Sequence, residues 1–205
     1  IRDRDTAALV AGLVLGSVAA LCRGRWPDRV IIFITTLFVS VPSFILATIL
    51  MLIFCLQLKW VGVWDPANPS YILPVIALAL YPMAYITRLT KSSMLDVLGQ
   101  DYIKTAKAKG LSQRKILWRH AMRNAIMPVV TIMGPTVAAV LTGTFVIESI
   151  FNIPGLGKYS VISIKDLDYT MISGTVVFYG ALLILCTLVI DLLYGFIDPR
   201  VKLEE

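Results

Sequence analysis

The chain has 205 residues, of which 58% are hydrophobic and only 16% charged, against about 25% charged and about 45–50% apolar in a soluble domain. The excess is gathered in long runs without Asp, Glu, Lys or Arg, which excludes an ordinary soluble domain and points to membrane spans. The net charge of +6 sits mainly in one loop between apolar runs; the aromatic-and-basic stripe of a nucleic-acid surface is absent, so no nucleic-acid partner is expected and the charge fits the positive-inside bias of a membrane protein.

A helix that crosses the bilayer needs roughly 17–25 mainly apolar residues, and five stretches qualify. The first covers residues 6–22. A basic connection with Arg23, Arg25, Asp28 and Arg29 follows. The second stretch, 30–58, is longer than a perpendicular span requires and carries Pro42, which predicts a kink or a short interfacial segment. Residues 59–70, with Trp60, Trp64, Pro66 and Pro69, suit a membrane–water interface. The third span is expected over 71–87, with Pro74 and Pro82, the fourth over 124–147, with Pro128, Gly134 and Pro135, and the fifth over 169–190, extending towards Phe196.

The connection at 88–123 holds nine Lys and Arg residues, Arg88 to Arg123, against Asp96 and Asp101, whereas that at 148–168 is nearly neutral. Basic connections stay in the cytoplasm, so residues 23–29 and 88–123 are placed inside, 59–70 and 148–168 outside, and Glu205 inside. Five spans then put Ile1 outside; one further span before it, making six in the parent protein, would resolve this. The expected fold is an all-α integral membrane protein with five transmembrane helices in these residues and a cytoplasmic loop at about 88–123.

Within that loop, Asp101-Tyr102-Ile103-Lys104-Thr105-Ala106-Lys107-Ala108-Lys109 consists of good helix formers. Gly110 stands where a left-handed C-terminal residue is wanted, and Ser112 is placed to cap a second helix through Ile116, Leu117 and Arg119. Tyr102 and Ala106 share one face and the lysines point largely away from it. Such a short helix suits a knob that docks in a partner's groove, or an amphipathic segment lying on anionic headgroups; the residues alone leave both readings open.

Catalytic machinery is not legible. Cys22, Cys55 and Cys186 form no CxxC and no metal-ligand spacing. His120, the only histidine, stands among Arg119 and Arg123 without the partners catalysis needs. No glycine-rich phosphate loop ending in Lys-Ser/Thr is present, so ATP is not bound by that route. The spans contain almost no ionisable residue, which argues against a proton- or sodium-coupled carrier. Ser40, Ser43, Thr131, Thr136, Thr142 and Thr144 are candidates for lining a pathway, or for helix–helix packing. The turn Ile153-Pro154-Gly155-Leu156-Gly157, with Glu148 before it, is a candidate outer gate or partner contact, or a simple re-entry turn.

The pattern TAKAKG followed by RHAMRNAIMPV resembles the EAA loop of bacterial binding-protein-dependent ABC permeases, and more narrowly that of the oligopeptide/dipeptide permease group. Val41-Pro42-Ser43-Phe44, residues 88–94, 143–148, 153–157 and the stretch DLLYGFIDPR at 191–200 extend the likeness over nearly the whole chain. Two departures from the general pattern stand out: Lys104-Thr105-Ala106 where it has Glu-Ala-Ala, and Pro128 alone of its prolines, with Asn124 where some relatives carry proline.

The resemblance implies that residues 1–205 form a type-1 transmembrane permease domain, without its N-terminal span, in the bacterial inner membrane. It implies import of oligopeptides or dipeptides, with nickel or glutathione as the alternative within the family and a secondary carrier or a transport-free scaffold outside it. The implied partners are cytoplasmic ATP-binding subunits, a second homologous permease subunit, an extracytoplasmic solute-binding protein and the lipid bilayer. No cofactor or metal is implied, and ATP hydrolysis belongs to a partner. Coupling to the ATPase would fall to Asp101, Tyr102, Lys104, Thr105, Ala106, Lys107, Ala108 and Gly110, and outer contacts to Glu148, Pro154, Gly155 and Gly157.

Overall fold

The computed structural model describes residues 2–112, 115–132 and 145–197, and among them the fold is all-α, with no β-structure beyond an isolated bridge between Asp65 and Asn68. Helix α1 spans Arg2–Leu21 and α2 Trp26–Ser40. The chain then breaks at Val41, which is extended (φ −91°, ψ 122°), as the residue before a proline must be because the Pro42 ring excludes the helical basin there. It restarts as α3, Ser43–Leu50, and runs on as a π-helical segment, Met51–Gln57. The expected second span is therefore interrupted at Pro42: Trp26–Ser40 and Ser43–Gln57 are long and apolar enough to cross a membrane only when counted together.

Helix α4, Ile72–Leu98, begins where the third span was expected and continues eleven residues past its predicted end at residue 87. Twenty-seven residues at 1.5 Å each make about 40 Å, against roughly 30 Å of hydrocarbon. Arg88, Lys91 and Asp96 thus ride on the polar end of a helix rather than in a loop, because backbone hydrogen bonding does not stop where the apolar run does. Helix α5, Asp101–Ala108, follows after a two-residue break, then a π-helical turn Ile116–Ala121 and α6, Met122–Ala125. Of the expected fourth span, 124–147, residues 133–144 lie outside the described residues. Helix α7 is Phe145–Ile150, α8 Leu156–Lys165 and α9 Tyr169–Ile197. Among the described residues α4 and Tyr169–Val189 of α9 are each long and apolar enough to span, and Ala7–Leu21 of α1 is a shorter apolar helix.

The chain divides into two compact units. One comprises Arg2–Pro42 and Ala79–Ile132; its core gathers Ala20, Met94, Ile103, Ala106, Ile116, Ala121 and Ala125. The other contains Ser43–Leu78 and the later helices; its core gathers Ala47, Cys55, Leu73, Ala77, Ile147 and Phe151.

Helix ends in the second unit are set by local chemistry. After α8, Leu167 takes a left-handed conformation (φ 55°), with the Leu167 N–H on the Ile164 carbonyl and the Asp168 N–H on the Ser163 carbonyl, the pair of bonds that closes a Schellman motif. Asp168 then opens α9: its Oδ1 accepts the Met171 N–H at 3.0 Å. Asp168→Ala removes that cap and is expected to lower stability by about 1 kcal/mol, read as a fall in the thermal unfolding midpoint of the detergent-solubilised protein.

Candidate functional site

An eight-residue helix is too short to persist alone in water, so α5 must be held by packing. Ile103 and Ala106 do this: both are buried in the core of their unit, beside Met94 and Ile116. The opposite side, with Asp101, Tyr102, Lys104, Thr105, Lys107, Ala108 and Lys109, is exposed. Tyr102 and Ala106 therefore do not form one outward face. Ala106 is the small residue that lets α5 settle on the core, while Tyr102, 41% exposed, points outward and accepts a 2.8 Å hydrogen bond from Asn124 Nδ2. Lys104 Nζ meets Asp101 Oδ1 at 2.8 Å, an exposed pair of the kind that contributes little to stability.

The end of α5 is built as its sequence implies. Gly110 has φ 74°, the Gly110 N–H bonds the Lys107 carbonyl at 3.0 Å and the Leu111 N–H bonds the Ala106 carbonyl at 3.3 Å, a complete Schellman motif whose apolar member, Leu111, packs on the same core. Ser112 contributes its carbonyl, which accepts the Ile116 N–H at 3.0 Å. The result is an amphipathic peg: a fixed inner side, and an outer side carrying three lysines around one tyrosine.

A second constellation lies in the other unit. Helix α7 ends at Asn152 (φ 56°), with the Ile153 N–H on the Glu148 carbonyl at 2.9 Å. The chain turns through Pro154, and α8 starts from Gly155, an N-cap residue with no side chain to cap with. Glu148 fills that role from α7: its Oε2 accepts the Lys158 N–H at 3.0 Å. An anion is favoured there because the orphan N–H groups and the helix dipole both attract negative charge. Lys158 Nζ in turn reaches Asn152 Oδ1 at 2.5 Å. The glycines are required by this closeness. A Cβ on Gly155 would meet the Glu148 carboxylate, and one on Gly157 would lie 2.9 Å from Phe145 Cα. Glu148, Pro154, Gly155 and Gly157 are thus brought together as one locked turn.

Of the six hydroxyl residues, Ser40 and Thr131 are exposed and Ser43 is half-buried; Thr131 Oγ1 donates to the Met127 carbonyl. Thr136, Thr142 and Thr144 lie outside the described residues. Among the described residues no three His, Cys, Asp or Glu side chains gather as a metal site.

Residues 12–203 match the protein family described as binding-protein-dependent transport system inner membrane component. The chain belongs to that family. It is 52% identical over 199 residues to a dipeptide transport system permease protein of Bacillus subtilis (strain 168), a match covering 97% of this chain and 65% of the relative. It is 40% identical over 199 residues to an oligopeptide transport system permease protein of Haemophilus influenzae, covering 95% of this chain and 65% of that one. A glutathione transport system permease protein of Escherichia coli (strain K12) is 38% identical over 196 residues, covering 95% of this chain and 64% of its own length. The chain thus spans about two thirds of the length of each relative. Its fold is that of a chain in an inward-facing structure of the MetNI methionine ABC transporter, with a TM-score of 0.70 at 15% identity, covering 96% of this chain and 92% of that one.

Two features of this inner membrane component escape a reading of the spans by hydropathy. The first is Gly12-Leu-Val-Leu-Gly16 in α1, small residues four apart that bring α1 against Ile86, Thr87 and Thr90 of α4. The signal was present as a GxxxG spacing in an apolar helix. The second is a partly buried ion pair. Lys91 Nζ donates to Asp28 Oδ1 at 2.5 Å and the Gly24 N–H donates to Oδ2 at 2.9 Å. Asp28 precedes the apolar run that starts at Val30, and its hydrogen bond with Lys91, then that from Gly24, hold its carboxyl below the usual carboxylate range. Asp28→Ala strands Lys91, whose side chain is only 20% exposed, and is expected to cost about 2 kcal/mol; the further change Lys91→Met should recover much of it, since a stranded charge costs more than an absent pair. Unfolding midpoints of the two single variants and the double variant check this.

Proposed function

We propose that this chain is the permease subunit of an ATP-driven importer of oligopeptides or dipeptides, forming part of the substrate pathway and coupling it to a separate ATPase. The observation that carries the reading is its 52% identity to a dipeptide permease, sustained over 97% of the chain. In this reading ATP is hydrolysed by cytoplasmic partner subunits, a second homologous permease completes the pathway, and an extracytoplasmic binding protein delivers the peptide. Residues 88–123 and Glu205 face the cytoplasm. Residues 148–168 face outward, where the turn held by Glu148, Pro154, Gly155 and Gly157 meets the binding protein or gates the outer mouth.

The α5 peg is the coupling element. Ile103 and Ala106 fix it to the permease, Gly110 ends it, and Asp101, Tyr102, Lys104, Thr105, Lys107 and Ala108 meet the ATPase. Ser40, Ser43, Thr131, Thr136, Thr142 and Thr144 are pathway candidates. A glutathione importer is the second reading, favoured by the 38% identity to a glutathione permease.

The test is reconstitution with the ATPase and binding proteins, measuring ATP hydrolysis and uptake with dipeptides, longer peptides and glutathione. Peptide-stimulated hydrolysis is expected. Stimulation by glutathione alone would favour the second reading, and uptake that ignores ATP but collapses with ionophores would end both. Gly110→Val forces a β-branched residue to φ 74°, a strain of about 1–2 kcal/mol. It is expected to reduce peptide-stimulated hydrolysis by about ten-fold while leaving the basal rate of the ATPase subunit unchanged.

A further inference from the structure

The turn joining α1 to α2 concentrates Arg23, Arg25 and Arg29 around Trp26, and all four are exposed, Trp26 to 75%. Asp28, the acid of this segment, faces inward, engaged by Lys91 and the Gly24 N–H. The local acid is therefore matched mainly from within, with Arg23 adding to the attraction, and all three arginines remain exposed. Below them, Trp26, Arg29, Val30, Phe33 and Leu37 follow the three-and-four spacing of one helix face, and Val30, Phe33 (66%) and Leu37 are exposed along it. From Trp26 to Leu37 the helix rises about 16 Å, close to the roughly 15 Å depth of one leaflet's hydrocarbon.

We propose that this face of α2 holds an anionic phospholipid, its phosphate among Arg23, Arg25, Arg29 and the Trp26 indole and an acyl chain along Val30, Phe33 and Leu37. Arginine suits the headgroup, since its planar fork donates two hydrogen bonds to phosphate oxygens. The indole suits the boundary, with an apolar body and one N–H donor. A free phosphate would use the arginines and leave the stripe below them bare. A stripe of leaflet depth under a cationic head matches a lipid at both ends.

The purified complex, titrated with phosphatidylglycerol or phosphatidylcholine of the same chains and followed by native mass spectrometry, tests this. The wild type is expected to retain phosphatidylglycerol in preference, and each of Arg23→Gln, Arg25→Gln and Arg29→Gln should lower that preference about five-fold. The matching lysine variants keep the charge but lose the fork, and should retain only part of the preference. These positions are exposed, so the single variants remain readable if the triple glutamine variant fails to fold. With Trp60, Trp64 and Trp118 replaced by Phe, Trp26 fluorescence should be quenched more by brominated phosphatidylglycerol than by brominated phosphatidylcholine. Equal quenching by both, or a preference that survives all three glutamines, overturns the site. So does a photocrosslinker at Phe33 that captures a partner subunit while Trp26 stays unquenched, since a protein then covers the face.

Discussion

Gly16→Leu should abolish the packing of α1 on α4. A Cβ at Gly16 would lie 2.6 Å from the Thr87 carbonyl oxygen and 2.6 Å from Thr90 Cβ. The first of these is backbone and cannot rotate away, and Thr87 and Thr90 are both wholly buried. Gly12 is nearly as tight, 2.7 Å from Ile86 Cγ2. In a bilayer the lipid tails are as apolar as the side chains, so helices associate through close packing and polar contacts, and small residues are what permit the approach. A leucine must push the helices apart over more than one turn. The expected loss is about 3 kcal/mol or more, enough to remove most of the folded population of a marginally stable protein. The measurement is the unfolding midpoint in mild detergent, together with the yield of assembled complex. The control is Gly174→Leu in α9, where a Cβ meets nothing within 4 Å; it should leave the midpoint unchanged or raise it, because leucine favours the helix over glycine. If Gly16→Leu and Gly174→Leu behave alike, the α1–α4 contact is not what holds this unit.

The contrast between these two glycines explains what could be read from the sequence. Hydropathy located the apolar runs, because the bilayer demands length and the absence of charge. Proline geometry foretold the break at Val41-Pro42, since that restriction is local to two residues. The left-handed Gly110 was equally local. Hydropathy could not distinguish Gly16 from Gly174, as each is a glycine in an apolar helix; only the Gly12–Gly16 spacing hinted at the difference, and the neighbour in the fold makes it. The same holds for Asp28, which reads as one more charge in a basic turn until Lys91, 63 residues away, is folded against it. Ala106 shows the limit within a single short helix. Its spacing from Tyr102 allowed a shared face, but eight residues cover the whole circumference, and the core beneath α5 decided that Ile103 and Ala106 would turn inward. The end of α4 differs from the end of the apolar run for another reason: a helix outlasts its apolar run when the residues beyond it, such as Ser92, Met94 and Leu95, still favour or tolerate the helix.

The other large effect is expected at the turn before α8, and it can be dissected by pairs. Gly155→Ala places a methyl group against the Glu148 carboxylate and forces it off the Lys158 N–H, which it now accepts at 3.0 Å. The helix start then loses the side-chain cap that Glu148 supplies, and Gly155 itself offers none. Losing such a cap costs about 1 kcal/mol, with the charge–dipole attraction adding about 0.5 kcal/mol more. Glu148→Ala alone should cost about as much. The two effects share one cause, so they should not add: in a Glu148→Ala background, Gly155→Ala removes nothing further and meets no carboxylate. Gly157→Val is different in kind. Its Cβ would lie 2.9 Å from Glu148 Oε2, and also 2.9 Å and 3.0 Å from the Phe145 Cα and N; Glu148→Ala relieves the first but not the backbone clash, so most of the expected loss of about 3 kcal/mol should persist in either background. Unfolding midpoints of the two single variants and the double variant at Glu148 and Gly155, set beside Gly157→Val with and without Glu148→Ala, test both statements. Additive losses at Glu148 and Gly155 would mean that the carboxylate does not hold the start of α8. If the proposed outward role of this turn is right, binding-protein-dependent uptake should fall in the same order as these midpoints, with Gly157→Val the most severe.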